Sequence, residues 1–213
     1  MNGQRPRRSR SSITAEEILD AAEHIAAGGL DELTMRAVAA RIDASPMALY
    51  RYFPTKDALT GALLDRVLGR VPAIAVSDDW IDDLAEFARA HAHVLRTHGW
   101  AVPGLFRTPD PGPGAAVTAE QAFAILARGG LTGADAVAAF SAIVALNYGW
   151  AAFANPDRSP AELRDGMLAL PAASFAHTRA VAEELAEYAD PGNYARALEL
   201  VVEGIRRTAT RPQ

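Results

Sequence analysis

Apolar side chains recur at helical spacing along most of the chain, and the alternation that marks β-strands is nearly absent. The first helical segment opens with a capping box formed by Thr14 and Glu17, and it stops at Gly28 and Gly29. Later segments begin with similar caps, and the last of them opens at Asp190. The pattern therefore predicts an all-α protein.

Two short helices joined by a tight turn are predicted between residues 34 and 53. Thr34 caps the first helix, which ends near Ile42, and Ser45 followed by Pro46 begins the second, because proline needs no N–H partner at the first helical position. Asp43 occupies the turn, where the backbone needs a positive φ that aspartate tolerates. This spacing is typical of a helix-turn-helix, which inserts its second helix into a DNA groove. The alternative is two ordinary helices joined by a loop.

Caps and helix breakers divide the chain into four parts. We predict a basic, disordered arm over 1–13, a helix-turn-helix domain over 14–56, a connecting helix over 57–72 and a larger helical part over 73–213. In the last part, helices are predicted at about 77–97, 100–107, 115–128, 133–154, from Ser159 onward, 174–189 and 191–207.

The predicted helix over 133–154 is apolar almost all round and long enough to raise the possibility of a membrane span. It is mostly alanine, it contains Ser141 and Asn147, and no basic flank anchors it. We therefore predict a helix buried on several sides and no membrane partner.

The last predicted helix carries an apolar stripe at spacings of four, three and four, made of Tyr194, Leu198, Val201 and Ile205. Such a stripe suits packing against a helix of a partner subunit. Packing within the same chain is the alternative.

Charge is distributed unevenly along the chain, whose net charge is −5. Residues 1–56 carry about +1 and the remainder about −6, so the acidic excess lies away from the predicted helix-turn-helix. Four arginines, Arg5, Arg7, Arg8 and Arg10, could lie along phosphates or enter a minor groove, or belong to an arm without function. The chain has no cysteine and opens with no recognisable secretory leader, which predicts a cytoplasmic location.

The sequence holds no catalytic signature, neither a nucleophile elbow nor a phosphate-binding glycine loop nor a zinc-protease motif, so no enzyme activity is predicted. His91, His93 and His98 fall within eight residues, which raises the possibility of a zinc site. Residues two apart on a helix face different sides, however, and no cysteine is available. We predict neither a metal nor a cofactor.

Aromatic residues with a few polar groups mark a candidate small-molecule cavity in the larger helical part. This composition is typical of an apolar cavity with a few orienting hydrogen bonds, although plain core packing explains each residue individually. The candidate residues are Trp80, Phe87, His91, Trp100, Phe106, Gln121, Phe123, Asn147, Trp150 and Phe153.

Over residues 14–64 the chain resembles the TetR family of bacterial transcription repressors. The most specific stretches are Leu33 to Arg36 and Ala48 to Lys56, followed by Ala58 and Leu59. Beyond about residue 75, Trp80, the segment 91–100 and the helix ending in Gly149 are similar in placement to the tetracycline-repressor branch of the family.

The resemblance implies a DNA-binding set on the helix-turn-helix. Thr34 and Lys56 would bind phosphates at two helix N-termini, and Tyr50 and Tyr52 would contact the backbone or bases. Arg36, Ser45, Met47 and Ala48 would face base edges, whereas Leu49 and Phe53 would point into the core.

The resemblance also implies that residues 73–213 form an effector-binding and dimerisation domain. A homodimer would form through helices near 133–154 and 191–207, placing two reading helices on a palindromic operator. The tetracycline branch binds a magnesium–drug chelate through a histidine and a glutamate, but the corresponding places look like Leu105 or Phe106 and Phe153. A different, apolar effector is therefore expected.

These observations predict a ligand-responsive repressor that an apolar small molecule releases from DNA. Two alternatives remain open: a DNA-binding dimer without a small-molecule effector, and a small-molecule binding protein that lacks operator recognition.

Overall fold

The computed structural model of the chain describes residues 13–107, 112–153 and 159–210. Regular structure in these ranges is entirely helical, which confirms the all-α prediction. The helices are α1 (Ala15–Ala26), α2 (Met35–Arg41), α3 (Pro46–Leu49), α4 (Lys56–Leu68), α5 (Trp80–Thr97), α6 (Val102–Leu105), α7 (Pro113–Arg128), α8 (Gly133–Phe153), α9 (Pro160–Leu168), α10 (Ala176–Ala180), α11 (Ala182–Ala186) and α12 (Pro191–Ala209).

The described residues form two compact units. The first unit lies within Met1–Ile74 and His93–Phe123, and the second within Ala75–Ala92 and Ala124–Gln213. Helices α5 and α7 each contribute residues to both units. The arginines at positions 5, 7, 8 and 10 lie outside the described residues.

Helix α1 begins where the sequence predicts it to begin. The Oγ1 of Thr14 accepts a hydrogen bond from the backbone N–H of Glu17, and a carboxylate oxygen of Glu17 accepts one from the N–H of Thr14, both at 3.1 Å. This reciprocal pair satisfies two amides that the first helical turn leaves without partners. The buried face of α1 then packs on α2 and α4 around Leu33, Val38 and Leu63.

The turn between α2 and α3 has the left-handed backbone that its sequence predicts. Asp43 has a φ of 53°, which makes it the one non-glycine residue with positive φ in the described ranges. The N–H of Ala44 donates to the carbonyl oxygen of Ala39 at 2.8 Å and closes the turn. Aspartate tolerates this conformation better than most residues, which explains why no glycine is needed.

Replacing Asp43 by valine is expected to lower the free energy of unfolding by about 1–2 kcal/mol, because a β-branched side chain fits a left-handed backbone poorly. Asp43→Gly, which relieves the same strain, serves as the control and should leave stability equal or higher. Urea unfolding of the three proteins measures the difference. Equal midpoints for the valine and glycine variants would contradict the strained turn.

The start of α7 is held by α4 within the first unit. The Asp65 carboxylate accepts hydrogen bonds from the N–H groups of Gly114 and Ala115 at 3.0 and 2.9 Å, and Thr118 Oγ1 donates to the carbonyl oxygen of Leu68 at 2.9 Å. A Cβ at Gly114 would lie 2.4 Å from the backbone oxygen of Asp65, so only glycine permits this approach. The end of the connecting helix is therefore fixed to the beginning of α7.

An ion pair ties the region just after α4 to α1 in the same unit. Arg70 contacts both carboxylate oxygens of Glu23, at 2.5 and 2.7 Å, and its Nη1 lies 2.6 Å from Nε2 of His98. The hydrogen bond from Arg70 is the main reason that the pKa of Glu23 lies below its ordinary value.

Helix α8 is less buried than the sequence suggests. By length and composition Gly133–Ala152 could cross a membrane, and only 22% of that stretch is buried within the chain. Residues on one face, among them Ile143 and Asn147, are buried, whereas Val137 and Ala138 on another are exposed. The prediction of burial on several sides is therefore wrong for the single chain, because alanine-rich periodicity does not show which faces of a helix the rest of the chain covers.

The predicted partner-facing stripe of α12 packs instead within its own chain. Leu198 and Ile205 are buried, and the Tyr194 hydroxyl donates to Oδ1 of Asn147 at 2.9 Å. The prediction that this stripe meets a partner is wrong, because the same spacing serves packing on α8. The exposed apolar residue of α12 is Leu200, whose side chain is 76% exposed.

The single helix predicted over 174–189 is in fact two short helices, α10 and α11. Val181 interrupts them with φ −115° and ψ 19°, outside the helical range. Arg179, near the end of α10, donates to the carbonyl oxygen of Leu170 at 2.9 Å and holds this segment against the end of α9.

Candidate functional site

The surface of α3 and the turn after it presents one apolar and two aromatic side chains to solvent. Met47 is 74% exposed, Tyr50 42% and Tyr52 40%, whereas Leu49 and Phe53 are buried beneath them. Exposure of three large side chains on so short a segment is unusual for a surface that has no partner. The inward direction of Leu49 and Phe53 agrees with the prediction.

The regular part of α3 is shorter than predicted. It ends at Leu49 instead of continuing to Pro54, and hydrogen-bonded turns carry the chain on to Phe53: the N–H groups of Tyr52 and Phe53 both donate to the carbonyl oxygen of Leu49 at 2.9 Å. The segment is thus fixed by backbone bonds although only one turn is α-helical.

Ser45 precedes α3 without capping it through its side chain. The N–H of Ala48 donates to the backbone oxygen of Ser45 at 2.9 Å, and the exposed Ser45 hydroxyl takes no part in the cap. That hydroxyl is therefore accessible to a base edge or a phosphate. Ala48 is partly buried and packs on the core of the first unit.

Two threonines cap the helices that flank α3. Thr34 Oγ1 accepts from the N–H of Ala37 at 3.1 Å, and Thr55 Oγ1 accepts from the N–H of Ala58 at 3.0 Å. Each hydroxyl still has a proton to donate, and both helix N-termini are exposed. A hydroxyl and free amides at a helix N-terminus form a site suited to phosphate oxygens.

Lys56 is the first residue of α4 and the only lysine in the sequence, and its side chain is exposed. Arg36 is likewise exposed, in the first turn of α2. These cations and the exposed rings of the turn after α3 lie in the first unit, where phosphate and base contacts are predicted.

Tyr52 also has a structural role that no sequence pattern signals. Its hydroxyl donates to the carbonyl oxygen of Ile13, just before α1. The hydroxyl is thus engaged within the unit, while the ring remains 40% exposed.

The nine candidate ligand residues with described side chains divide between the two units. Trp100, Phe106, Gln121 and Phe123 belong to the first unit, whereas Trp80, Phe87, His91, Asn147 and Trp150 belong to the second. The side chain of Phe153 lies outside the described residues.

The four candidates in the first unit have different surroundings. Trp100 packs on the apolar core of the first unit, and Gln121 accepts from the N–H of Ile74 at 2.6 Å and donates to the carbonyl oxygen of Pro72 at 3.1 Å. Phe106 is 65% exposed, and Phe123 is partly buried. These surroundings explain Trp100 and Gln121 without a ligand.

In the second unit, Asn147 is the centre of a buried polar network. Its side chain is fully buried, and Nδ2 donates to the carbonyl oxygen of Ala88 at 2.9 Å and lies 3.0 Å from Nδ1 of His91. Oδ1 accepts from the hydroxyl of Tyr194 at 2.9 Å. The network joins α5, α8 and α12 inside this unit.

Aromatic rings surround this network. The ring of His91 stacks on Phe87 with centroids 6.1 Å apart and lies 5.9 Å from Tyr148. Trp150 meets Tyr194 edge to face at 5.6 Å. Tyr148 was not among the predicted site residues, and Tyr194 was predicted to face a partner subunit. The helical spacing of Asn147 and Trp150 on α8 was the available signal that residues next to them line the same site.

Trp80 lies in the same unit but is not part of this network. Its ring packs so closely on Gly129 that a Cβ there would lie 2.4 Å from the indole. The Asp83 carboxylate nearby is buried and pairs with Arg128, and hydrogen bonds from Ser77 and Arg128 hold the pKa of Asp83 below its ordinary value.

Burial lowers the pKa of His91 to about 4. The folded protein therefore keeps His91 neutral, while the unfolded chain takes up a proton at about pH 6.5. The contribution of neutral His91 to the free energy of unfolding is fully present above pH 6.5. It is lost as the pH falls toward 4, because the unfolded state binds more protons than the folded state in that window.

We expect His91 to account for a loss of about 3 kcal/mol in the free energy of unfolding between pH 7 and pH 4. His91→Gln should flatten this dependence, whatever its effect on stability at pH 7. His93→Gln, an exposed neighbour on α5, is the control and should keep the wild-type slope. Denaturant unfolding at a series of pH values measures all three, and identical slopes would show that His91 is not the group responsible.

Within the described ranges, no group of three histidine, aspartate or glutamate side chains is arranged to hold a metal ion. His98 lies 2.8 Å from the carbonyl oxygen of Val94 through Nδ1 and contacts Arg70 through Nε2, so both its ring nitrogens are engaged. His93 is exposed.

Two parts of the chain match known families. Residues 18–63 match the family of bacterial regulatory proteins, tetR family, and residues 75–209 match the tetracyclin repressor-like C-terminal domain. Together these matches span both the helix-turn-helix and most of the remaining chain.

Curated relatives carry consistent descriptions. An HTH-type transcriptional regulator of Saccharopolyspora erythraea is 33% identical over 138 residues, covering 64% of this chain and 58% of that protein. The HTH-type transcriptional repressor DrrR1 of Streptomyces coeruleorubidus is 35% identical over 141 residues, covering 64% of this chain and 52% of that protein. The chain thus spans a little over half the length of these relatives.

A solved structure of the TetR family protein ActR from Streptomyces coelicolor, in complex with (S)-DNPA, has the same fold. Its TM-score is 0.84 at 21% identity, over 93% of this chain and 99% of that one. A transcriptional regulator from the same organism reaches a TM-score of 0.78 at 26% identity, over 92% and 98% of the two chains. The family matches and the relatives confirm the predicted resemblance, and they agree with the prediction of no enzyme activity because this is a family of regulators: the chain belongs to the tetR family of bacterial regulatory proteins.

Proposed function

We propose that the protein is a ligand-responsive transcriptional repressor, which binds a palindromic operator as a homodimer and is released by an apolar small molecule. The observation that carries the proposal is the exposed segment from Ser45 to Tyr52, held by backbone bonds between two capped helix N-termini. The naming of the matched relatives as transcriptional regulators and repressors supports it.

The chemistry of this segment suits DNA. The Met47 methyl can contact a thymine methyl, and Arg36 can bind guanine with two hydrogen bonds. The Ser45 hydroxyl can donate a hydrogen bond to a base edge or accept one from it. Thr34 and Lys56 would bind phosphates on the two sides of the reading segment, which fixes its register without reading sequence.

The exposed faces of α8 and α12 support the proposed homodimer. Regulators of this family bind DNA and small molecules, typically as dimers. On α8, Ala134, Ala138, Ser141 and Ala145 recur at helical spacing and are exposed, and small residues allow close helix approach. Together with Val137, which is 55% exposed, they form a surface on α8 that we name the small-residue face. Leu200 of α12 is also exposed, at 76%. A second copy covering this face would explain why so apolar a helix lies largely uncovered.

The effector is proposed to bind near the Asn147 network. ActR, which shares the fold, has been crystallised with (S)-DNPA and with actinorhodin. We propose that the effector binds best to a dimer whose two DNA-reading helices are wrongly spaced for the operator. Such an effector weakens DNA binding, and DNA must weaken effector binding by the same factor. Helix α4, fixed to the start of α7 through Asp65, is the element through which we propose this coupling acts. Operator binding and release would take place in the cytoplasm, where bacterial DNA lies.

A gel-shift screen of the purified chain against DNA flanking its own coding region, with and without candidate apolar compounds, tests the proposal. A retarded fragment that a compound releases is the expected result. A retarded fragment that no compound releases would favour a DNA-binding dimer without effector. Compound binding without any retarded fragment would favour a small-molecule binding protein that lacks operator recognition.

A further inference from the structure

The indole N–H of Trp150 is buried, and no described residue accepts a hydrogen bond from it. Trp150 lies one helical turn beyond Asn147 on α8, and its ring contacts Tyr194, which is bonded to Asn147. A buried donor without an acceptor is costly and calls for an explanation, such as an acceptor that the chain itself does not supply.

A second donor follows from the orientation of Asn147. A backbone carbonyl can only accept, so the nitrogen of the Asn147 amide must be the atom that faces Ala88. That nitrogen therefore also donates to Nδ1 of His91 at 3.0 Å. Since neutral His91 has a single ring proton, that proton lies on Nε2, and no described residue accepts from Nε2.

Both donors lie on one network in an apolar and uncharged setting. The hydrogen-bond and ring partners of His91, Asn147 and Trp150 in the described part of the chain are aromatic rings, a backbone carbonyl and a phenol hydroxyl, together with one another. A site of this kind offers hydrogen-bond donors and ring faces and has no carboxylate to attract a cation.

We infer that the effector is a flat, uncharged aromatic compound carrying carbonyl or quinone oxygens, which accept hydrogen bonds from Trp150 Nε1 and His91 Nε2. The inference rests on the proposed function, since it names the ligand class of the same site. Compounds of similar shape without acceptors would leave both donors without an acceptor, so the site discriminates against them.

The probes are 1,4-naphthoquinone and naphthalene, which share a ring frame and differ in two carbonyl groups. The chain has no cysteine, so the quinone cannot be captured by a thiol. We expect the wild-type protein to bind the quinone at least tenfold more tightly than naphthalene in calorimetry. Trp150→Phe should weaken quinone binding about fivefold and change naphthalene binding less than twofold. Phe175→Leu, at an exposed aromatic residue of the second unit outside the network, is the control and should keep the preference.

A spectroscopic readout separates a hydrogen bond from a packing effect. The chain has three tryptophans, so the indole N–H region of a ¹⁵N-labelled sample shows three signals, and the one lost in Trp150→Phe identifies Trp150. This signal should move downfield with the quinone and much less with naphthalene. Equal affinity for both probes, equal weakening of both in Trp150→Phe, or no binding of either would overturn the inference.

Operator binding and dimer mass of the same variants are measured without probe. Intact DNA binding with no discrimination between the probes refutes the ligand class and leaves the regulator intact. Absent DNA binding in the wild type refutes the proposed function, while the probe test still decides the chemistry of the site. A loss of dimer in Trp150→Phe would assign the indole to the subunit interface and overturn the inference.

Discussion

Lys56→Ala is expected to weaken operator binding about 100-fold at physiological salt. A charge-assisted phosphate contact contributes roughly 1.5 kcal/mol, and a dimer loses it twice, once in each half-site. The slope of log K against log salt should become shallower by about 2, since two phosphate contacts disappear. Fluorescence anisotropy of a labelled operator at four salt concentrations measures both quantities.

Arg89→Ala is the matched control, because it removes one exposed positive charge from the second unit. It should change neither the affinity nor the salt slope appreciably. An equal effect of the two substitutions would mean that Lys56 acts only through net charge. A Lys56→Ala slope change near 1 would instead indicate one chain per operator.

Ala138→Arg is expected to convert the protein to monomers and to weaken operator binding about 1000-fold. Ala138 lies in the small-residue face of α8, where a symmetric partner would bring two arginines together. A monomer reads one half-site and keeps roughly half of the specific binding free energy, which is on the order of 8 kcal/mol. Sedimentation velocity gives the mass and anisotropy gives the affinity.

Ala161→Arg, at an exposed alanine of α9, is the matched control and should leave mass and affinity unchanged. Circular dichroism shows whether both variants stay helical. A folded Ala138→Arg protein that remains dimeric would place the subunit interface elsewhere. A folded monomer with undiminished operator affinity would contradict the need for two reading segments.

Local features of the fold could be predicted from the sequence because they depend on neighbouring residues. The capping box of Thr14 and Glu17 and the positive φ of Asp43 need only the chemistry of a few adjacent positions. The same holds for Ser159, whose Oγ accepts from the N–H of Glu162 at the start of α9. Helix starts were therefore predictable to within a few residues.

What a helix packs against could not be predicted in this way. The stripe from Tyr194 to Ile205 has the same spacing whether it meets α8 of its own chain or a partner, and the structure shows the former. The alanines of α8 are equally ambiguous, since a weakly apolar helix fits a core, an interface or a membrane. Val181 breaks the segment after α9 without any proline or glycine to announce it.

The candidate site shows the same division. The exposure of Met47 and Tyr50 and the burial of Leu49 follow from helical phase, which a sequence contains. The network around Asn147 joins residues from three helices far apart in the chain, and only three-dimensional packing reveals it. Aromatic composition alone cannot distinguish a residue beside this network, such as Phe87, from an exposed one, such as Phe106.

Hydroxyl-radical footprinting of the full chain on a fragment retained in the gel-shift screen tests the central claim most directly. The exposed Ser45 to Tyr52 segment, present twice per dimer, should protect two tracts related by a two-fold axis, with centres about 34–36 Å apart or a multiple of that spacing. Ala138→Arg should lose one tract or both at the same concentration. A single asymmetric tract, or no protection at concentrations where the fragment is fully retained, would contradict the account.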